Sequence, residues 1–248
     1  AEQQARHEAD RAIRAEAQAV VEGKVSREVR DFMVSLFEDM NSSVPGARKV
    51  TAYELLERGR KQLDERAVTQ PQIRAELLQA LAKIYDNIGD LENTRLLYRK
   101  VAEIERDPVK GRPDVLARAL SRVALAESNS SNHAAAEAPA RESLEIRRRI
   151  GGEDSLDTAD SHGVLGLVLS GLRRQAESRE HLEAALRIRE KLLPPNDELI
   201  ASALHNLGQH YAMTGDFDKS VPLYERAIAI KAGLFGEKHP KTFNSVEG

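Results

Sequence analysis

Residues 204–230 read LHNLGQHYAMTGDFDKSVPLYERAIAI, and this stretch decides the fold. It joins two segments of helical periodicity through a Gly-Asp dipeptide. The same pattern occurs four times, and each equivalent position advances by 42 residues without an insertion or a deletion. Three of the equivalent columns are Leu81, Val123, Leu165 and Leu207; Ala82, Ala124, Gly166 and Gly208; and Ile104, Ile146, Ile188 and Ile230. A fixed period of this length predicts a solenoid of stacked helix pairs, whose extended surface is suited to binding.

Each repeat divides into a helix A and a helix B. In the first repeat we predict helix A from Ile73 to Asn87, a turn at Gly89-Asp90 and helix B from Glu92 to about Glu105. The four repeats occupy 71–238, as residues 71–112, 113–154, 155–196 and 197–238, and residues 239–248 are predicted to begin a truncated fifth repeat. Because the chain begins at Ala1 and the fifth repeat stops early, we expect it to be part of a longer protein.

Two residues depart from the repeat pattern. Arg173 stands where the fourth repeat has Gly215, so we expect that the turn does not require a positive φ at this position. Glu127 stands in a column whose other members are large and apolar or aromatic. A buried carboxylate needs a partner, so either the second repeat is the least stable or a nearby Arg pairs with Glu127.

The residues before the repeats divide into two segments. Residues 1–24 are rich in Ala, Glu and Arg, which predicts a charged helical linker, either solvated or a weak coiled coil. Residues 25–70 are predicted to form N-terminal capping helices. Thr51 and Glu54 have the spacing of a capping box, which would open a helix through about Arg66. The apolar positions of these helices are Val25, Val29, Phe32, Met33, Leu36, Phe37 and Met40 in the first, and Leu55, Leu56 and Leu63 in the second.

Composition excludes several classes of function. The 37 basic and 40 acidic residues nearly balance, so nucleic acid is not an expected partner. The absence of Cys excludes disulfides and a thiol nucleophile. The sequence contains no run of 18 apolar residues, so it does not predict a membrane-spanning helix. His205 and His210 are too far apart around a helix to share a metal ion. We therefore expect no catalytic residue, no metal and no cofactor. The run Arg147–Arg149 is predicted to be a solvated end of helix B, with an anionic partner as the alternative.

The repeat columns resemble the tetratricopeptide repeat: a small residue, a large residue three positions later, a Gly-Asp turn, and then Ala-x-x-x-Tyr-x-x-Ala. The 42-residue period is similar to that of the kinesin light chain repeats. Their Gly-x-x-His-Pro boundary matches Gly236 to Pro240, and their Leu-Asn-Asn-Leu-Ala segment is close to Leu204–Gly208. This resemblance implies an all-α fold, a superhelical solenoid of antiparallel helix pairs that binds a protein or an extended peptide.

The same resemblance implies which residues line the peptide-binding groove, because helix A residues that point away from helix B form the inner wall in such proteins. Asn206 matches the groove Asn that holds the ligand backbone, while Lys83 and Arg122 would favour an acidic stretch in the ligand. The other interpretation is that these are ordinary solvated helix residues. The candidate groove residues are Lys83, Asn87, Arg122, Asn129, His205, Asn206, Gln209 and Met213.

Residues 25–39 and 50–59 resemble the segment that joins the membrane helix to the repeats in bacterial serine/threonine protein kinases. No kinase motif occurs in this chain. The resemblance therefore implies the non-catalytic sensing or regulatory region of such a kinase, on the extracytoplasmic side of a membrane or otherwise in the cytoplasm. The alternative is a structural oligomerisation module that self-associates through residues 1–40 or through the open C-terminal end.

Overall fold

The computed structural model of the chain describes residues 51–65, 70–237 and 239–243, together with isolated helical positions at 23, 27, 30–32 and 34. Nearly all of the predicted linker at 1–24 and most of the predicted apolar helix at 25–40 lie outside the described residues. The chain divides into two compact units, residues 1–88 and residues 89–248. Every regular element of the described residues is a helix, which confirms the all-α prediction.

The first unit contains helices α1 (Ala52–Glu65) and α2 (Pro71–Asn87). The predicted capping box opens α1: the Thr51 backbone N–H donates to Glu54 Oε2 at 2.8 Å, and the Glu54 N–H donates to Thr51 Oγ1 at 3.2 Å. Its predicted apolar face is buried, with Leu63 only 1% exposed. Tyr85 of α2 is fully buried and donates its hydroxyl proton to Glu57 of α1 at 2.7 Å, so the two helices are joined by a polar contact as well.

The second unit begins with one helix B and continues with three complete helix pairs. Its helices are α3 (Leu91–Glu105), α4 (Pro113–Asn129), α5 (His133–Gly151), α6 (Leu156–Gly171), α7 (Gln175–Leu192), α8 (Glu198–Met213), α9 (Phe217–Phe235) and the short α10 (Pro240–Phe243). Helices α2 and α3 end at the residues predicted for the first repeat, Asn87 and Glu105, and they begin two residues and one residue earlier than predicted. Consecutive helices of this unit pack against each other, and α4 also touches α6, as α6 touches α8.

Small residues let helix A and helix B approach closely within a pair. A Cβ added at Gly166 of α6 would lie 2.7 Å from Leu182 Cγ of α7, and one added at Gly208 would lie 3.3 Å from the Tyr224 ring. The facing helix B position is also small. Ser178 and Ser220 each donate a hydroxyl proton at 2.8 Å to the carbonyl of the glycine opposite, Gly166 or Gly208. The column of small residues therefore supports both close packing and a repeated buried hydrogen bond.

The prediction for the turn at Arg173 was wrong, because this residue has φ of +61°. The reason is the hydrogen bonding at the end of α6: the Arg173 N–H donates to Ser170 O and the Arg174 N–H donates to Leu169 O, both at 3.0 Å. This is the Schellman arrangement, which places one residue in the left-handed region. The turn at Gly215 has the same pair of hydrogen bonds and the same left-handed conformation. The third repeat therefore keeps this helix end although it has Arg in place of Gly.

The partner predicted for Glu127 is present. Its side chain is completely buried in α4 and forms ion pairs with Arg95 at 3.2 Å and with Arg99 of α3. Asn132, in the turn after α4, donates its side-chain N–H to Glu127 at 2.9 Å. Three donors thus compensate the desolvation of one carboxylate, and they link α3 to the end of α4.

Candidate peptide-binding groove

Three successive A helices of the second unit, α4, α6 and α8, line an open groove with a volume of about 470 Å³. Two B helices, α5 and α7, each contribute one arginine. The lining residues are Arg118, Ser121, Arg122 and Leu125 of α4; Arg147 of α5; Asp157, Asp160, Gly163, Val164 and Leu167 of α6; Arg189 of α7; and Asn206 of α8.

Helical spacing explains why these residues share one surface. Residues at 118, 121, 122 and 125 follow the i, i+3, i+4, i+7 pattern and form one stripe of α4. The neighbouring positions Leu120 and Val123 are buried. On α6 the middle of the groove wall is Gly163, where an added Cβ would meet no atom within 4 Å. The groove wall therefore has open space beside Gly163, where no side chain fills it.

A chain of charges crosses the groove from repeat to repeat. Arg189 Nη2 donates to Asp160 Oδ1 at 2.6 Å, and Arg147 Nη1 lies 3.9 Å from Asp160 Oδ2. Arg147 also donates to the backbone carbonyl of Asp157 at 2.5 Å, and Arg189 donates to that of Leu199 at 3.2 Å. Both bonds span ten residues and cross a repeat boundary. The two arginines therefore hold the first turn of the following helix A.

This finding overturns the prediction that Arg147 is solvated, since Arg147 is only 6% exposed. Burial lowers the pKa of Arg147, and the positive charges of Arg118 and Arg122 lower it further, whereas Asp157 and Asp160 act against both. The signal that could have revealed this role is the recurrence of Arg after 42 residues, at Arg189. The recurrence is not specific to buried arginines, because the exposed Arg99 recurs in the same way as Arg141.

The groove carries more positive than negative charge. Four arginines and two aspartates line it, and Asp160 is already engaged by Arg189. Arg118 makes a long ion-pair contact of 3.9 Å with Asp114 in the first turn of α4, and both side chains are more than half exposed. An acidic segment of a ligand would therefore meet a favourable potential along α4.

The predicted groove residues separate into three groups. Arg122 and Asn206 line the same groove, on different repeats. Asn129, His205, Gln209 and Met213 are not among its lining residues. His205 is half-buried and packs edge-on against the Tyr224 ring at 5.3 Å between centroids, and Met213 accepts a 3.9 Å contact from the Ser170 hydroxyl. Lys83 and Asn87 are exposed on α2 of the first unit.

Neither metal chemistry nor a membrane span is indicated in the part of the chain that the structure describes. No group of three or more His, Asp or Glu side chains in it is placed to hold a metal ion. None of the helices there combines the length and the apolar character needed to cross a bilayer.

Several solved structures share this fold at low sequence identity. BtubC (BKLC) from P. vanneervenii superposes with a TM-score of 0.60 and 23% identity, over 88% of this chain and 92% of its own. A putative kinesin light chain of Podospora anserina with nearly identical TPR-like repeats gives 0.58 and 20%, over 73% and 85%. A Rap protein complexed with competence and sporulation factor gives 0.64 and 15%, over 88% of this chain and 56% of the Rap chain. No curated protein matches the sequence.

Family models identify the repeats directly from the sequence. One tetratricopeptide repeat model matches residues 115–191 and 199–245, and a second matches residues 75–108. The ranges of the first model cover nearly all of α4 to α9 and contain all of the groove-lining residues. The chain therefore belongs to the tetratricopeptide repeat family.

Proposed function

We propose that this chain is a protein-binding scaffold that holds an extended segment of a partner in the groove of α4, α6 and α8. The observation that carries the proposal is that three A helices contribute polar and apolar side chains to one open groove of about 470 Å³. The Rap neighbour, which has the same fold, is complexed with competence and sporulation factor. At 15% identity this neighbour supports the fold alone. The argument for peptide binding therefore depends on the residues that line the groove.

The groove offers three kinds of contact to an extended chain. The amide of Asn206 can donate and accept at once, which suits a peptide backbone. Arg118 and Arg122 are exposed and can bind carboxylates of the ligand. Leu125 and Leu167 are half-buried and can pack against an aliphatic side chain. Together they favour a ligand with acidic residues on one side of an extended backbone.

A random peptide library displayed on phage and selected against this chain tests the proposal. We expect the selected peptides to be enriched in Asp and Glu and to bind less tightly to the Arg122→Ala and Asn206→Ala variants, by about 1 to 3 kcal/mol. Arg149→Ala is the matched control, because Arg149 is highly exposed and pairs with Glu145 on its own helix. Equal affinity for all three variants would place the binding surface outside the groove.

We further propose that the scaffold is the non-catalytic sensing or regulatory region of a bacterial serine/threonine kinase, on the extracytoplasmic side of a membrane or otherwise in the cytoplasm. Support comes only from the resemblance of residues 25–39 and 50–59 to the segment that precedes the repeats in such kinases. The complete reading frame tests it. A kinase domain followed by a membrane helix upstream of Ala1 is expected, and a frame without them contradicts the proposal.

Self-association is the second candidate function, and exposed apolar side chains at the C-terminal repeat favour it. Met213, Phe217 and Val221 are 54%, 63% and 52% exposed, and they lie at the end of α8 and on the first two turns of α9. Light scattering distinguishes the candidates: a dimer that a Phe217→Ser/Val221→Ser double variant converts to a monomer supports oligomerisation. A monomeric parent chain at high concentration contradicts it.

A further inference from the structure

A pair of histidines, one buried and one half-buried, occupies the middle of the third repeat. His162 of α6 is 3% exposed, and its Nδ1 lies 2.8 Å from Nδ1 of His181 of α7. The rings are 5.0 Å apart between centroids and tilted by 41°. The equivalents of His162 in the other repeats are Leu78, Leu120 and Leu204, and those of His181 are Leu97, Pro139 and Leu223. The third repeat thus has two titratable rings where the fourth has two leucines.

The hydrogen bonds around the pair allow one arrangement of protons when both rings are neutral. Arg148 Nη2 lies 3.3 Å from His162 Nε2, and because a guanidinium only donates, this nitrogen must accept. The proton of His162 is then on Nδ1 and is donated to His181 Nδ1. The proton of His181 is therefore on Nε2. This order leaves no two donors facing each other.

An added proton breaks this order wherever it binds. On His181 Nδ1 it faces the N–H of His162. If His162 moves its own proton to Nε2 to accept it, that proton faces the N–H groups of Arg148. Glu153 lies 3.9 Å from His162 Nε2, but Arg148 already binds it at 2.7 Å. Protonation therefore creates opposed donors inside the α6–α7 contact, which costs free energy.

The charges that act on the pair come from both neighbouring helices and from one loop. They are Arg141 and Arg148 of α5, Glu153 in the following loop, and Glu177, Glu180 and Arg187 of α7. Burial lowers the pKa of His162 to about 4, with the positive field of His181 and Arg148 adding to the effect. Burial likewise lowers the pKa of His181, with Arg141 and Arg148 contributing. Both rings are thus held neutral by their surroundings.

We propose that the His162–His181 pair makes the third repeat a pH-sensitive element, in which mild acidification lowers the free energy needed to separate α6 from α7 and so disturbs the groove wall that α6 forms. The link to the groove is direct, because His162 immediately precedes the wall residue Gly163, and α6 also carries Asp157 and Asp160. The effect on ligand binding rests on the proposed function, whereas the opening of the α6–α7 pair is independent of that function.

Amide hydrogen exchange of the ligand-free chain tests the opening, at about pH 7.5 and pH 5 and after correction for intrinsic rates. We expect protection in α6 and α7 to fall about tenfold or more at the lower pH. The His162→Leu/His181→Leu double variant copies the leucines of the fourth repeat and should keep its protection. His205→Leu, another half-buried histidine outside the pair, is the matched control and should behave like the parent. An equal loss of protection in the parent and in the double variant overturns the proposal.

Two further measurements keep the test decisive. If the double variant does not fold, imidazole NMR titration of the parent replaces it: both rings should titrate below the free-histidine value of about 6.5, and an ordinary midpoint for both overturns the proposal. An oligoaspartate peptide serves as the ligand probe. If it fails to bind at neutral pH, the acidic-ligand function fails and the exchange result stands alone. If binding falls with pH equally in parent and double variant, the histidine control of the groove is refuted.

Discussion

Glycine-to-alanine substitutions at three helical positions test the packing of the helix pairs, because the same chemical change meets three different surroundings. At Gly233 in α9 an added Cβ meets no atom within 4 Å. At Gly208 the nearest atoms belong to the Tyr224 ring, at 3.3 Å and beyond. At Gly166 three atoms of Leu182 lie within 3.3 Å, and one of them is the backbone nitrogen.

Two opposing effects determine the sign of each change in the free energy of unfolding. Replacing Gly by Ala inside a helix stabilises it by about 1 kcal/mol, whereas forcing a methyl group into a packed core costs about 1 to 3 kcal/mol. Leu182 is only 2% exposed and has little room to move away. We therefore expect Gly233→Ala to be stabilised by up to about 1 kcal/mol, Gly208→Ala to be near zero, and Gly166→Ala to be destabilised by about 1 to 2 kcal/mol.

Urea unfolding followed by far-ultraviolet circular dichroism gives the three free energies, with the slope compared as well as the midpoint. The order of the variants is the result that matters. If Gly166→Ala were as stable as Gly233→Ala, the close approach of α6 to α7 would not exist in solution. Gly208→Leu extends the series, and we expect it to cost more than about 2 kcal/mol through overpacking.

Three further predictions use the same assay. Arg173→Gly should stabilise the chain by about 1 kcal/mol, because glycine adopts the left-handed conformation without steric cost; a loss of stability would contradict the strain at this turn. Glu127→Ala should destabilise by about 2 to 4 kcal/mol, since it leaves a cavity and unpaired donors, while Arg95→Ala, whose side chain is partly exposed, should cost less. The folded pKa of His162, about 4, is below its unfolded value of about 6.5, so its contribution is complete above pH 6.5 and is lost as pH falls toward 4, by about 3 kcal/mol in total. A flat stability profile across this range would contradict the burial of a neutral ring.

The helices, their turns and the small-residue columns could be predicted from the sequence because they follow from local periodicity and from the 42-residue register. The left-handed turn at Arg173 could not, since the demand for a positive φ comes from the hydrogen bonds that close α6 and not from the residue itself. The 42-residue period shows that the first and fourth repeats have glycine at this turn position. It does not show that the third repeat keeps the same left-handed backbone conformation with Arg there.

The candidate groove could be predicted only in part. Arg122 and Asn206 were found because the resemblance to peptide-binding repeats implies that these helix A positions face the groove, and both do line it. Arg147, Arg189 and Asp160 were missed because their contacts cross repeat boundaries, and the period alone does not give the rotation between repeats. The sequence places both histidines in columns where the fourth repeat has leucine, but only the structure shows that the two rings lie within hydrogen-bonding distance.

The arginines that reach across repeat boundaries have a consequence for how the second unit loses its structure. Arg147 binds the first turn of α6, and Arg189 binds the first turn of α8. In a linear array, cooperativity depends on the strength of coupling between nearest neighbours relative to the intrinsic stability of each repeat. A buried donor at each of these two junctions raises that coupling, so the second, third and fourth repeats should melt together and not one after another. The guanidinium groups of Arg147 and Arg189 also line the groove. A ligand that binds them there would therefore change the coupling between repeats, and with it the number of repeats that unfold together.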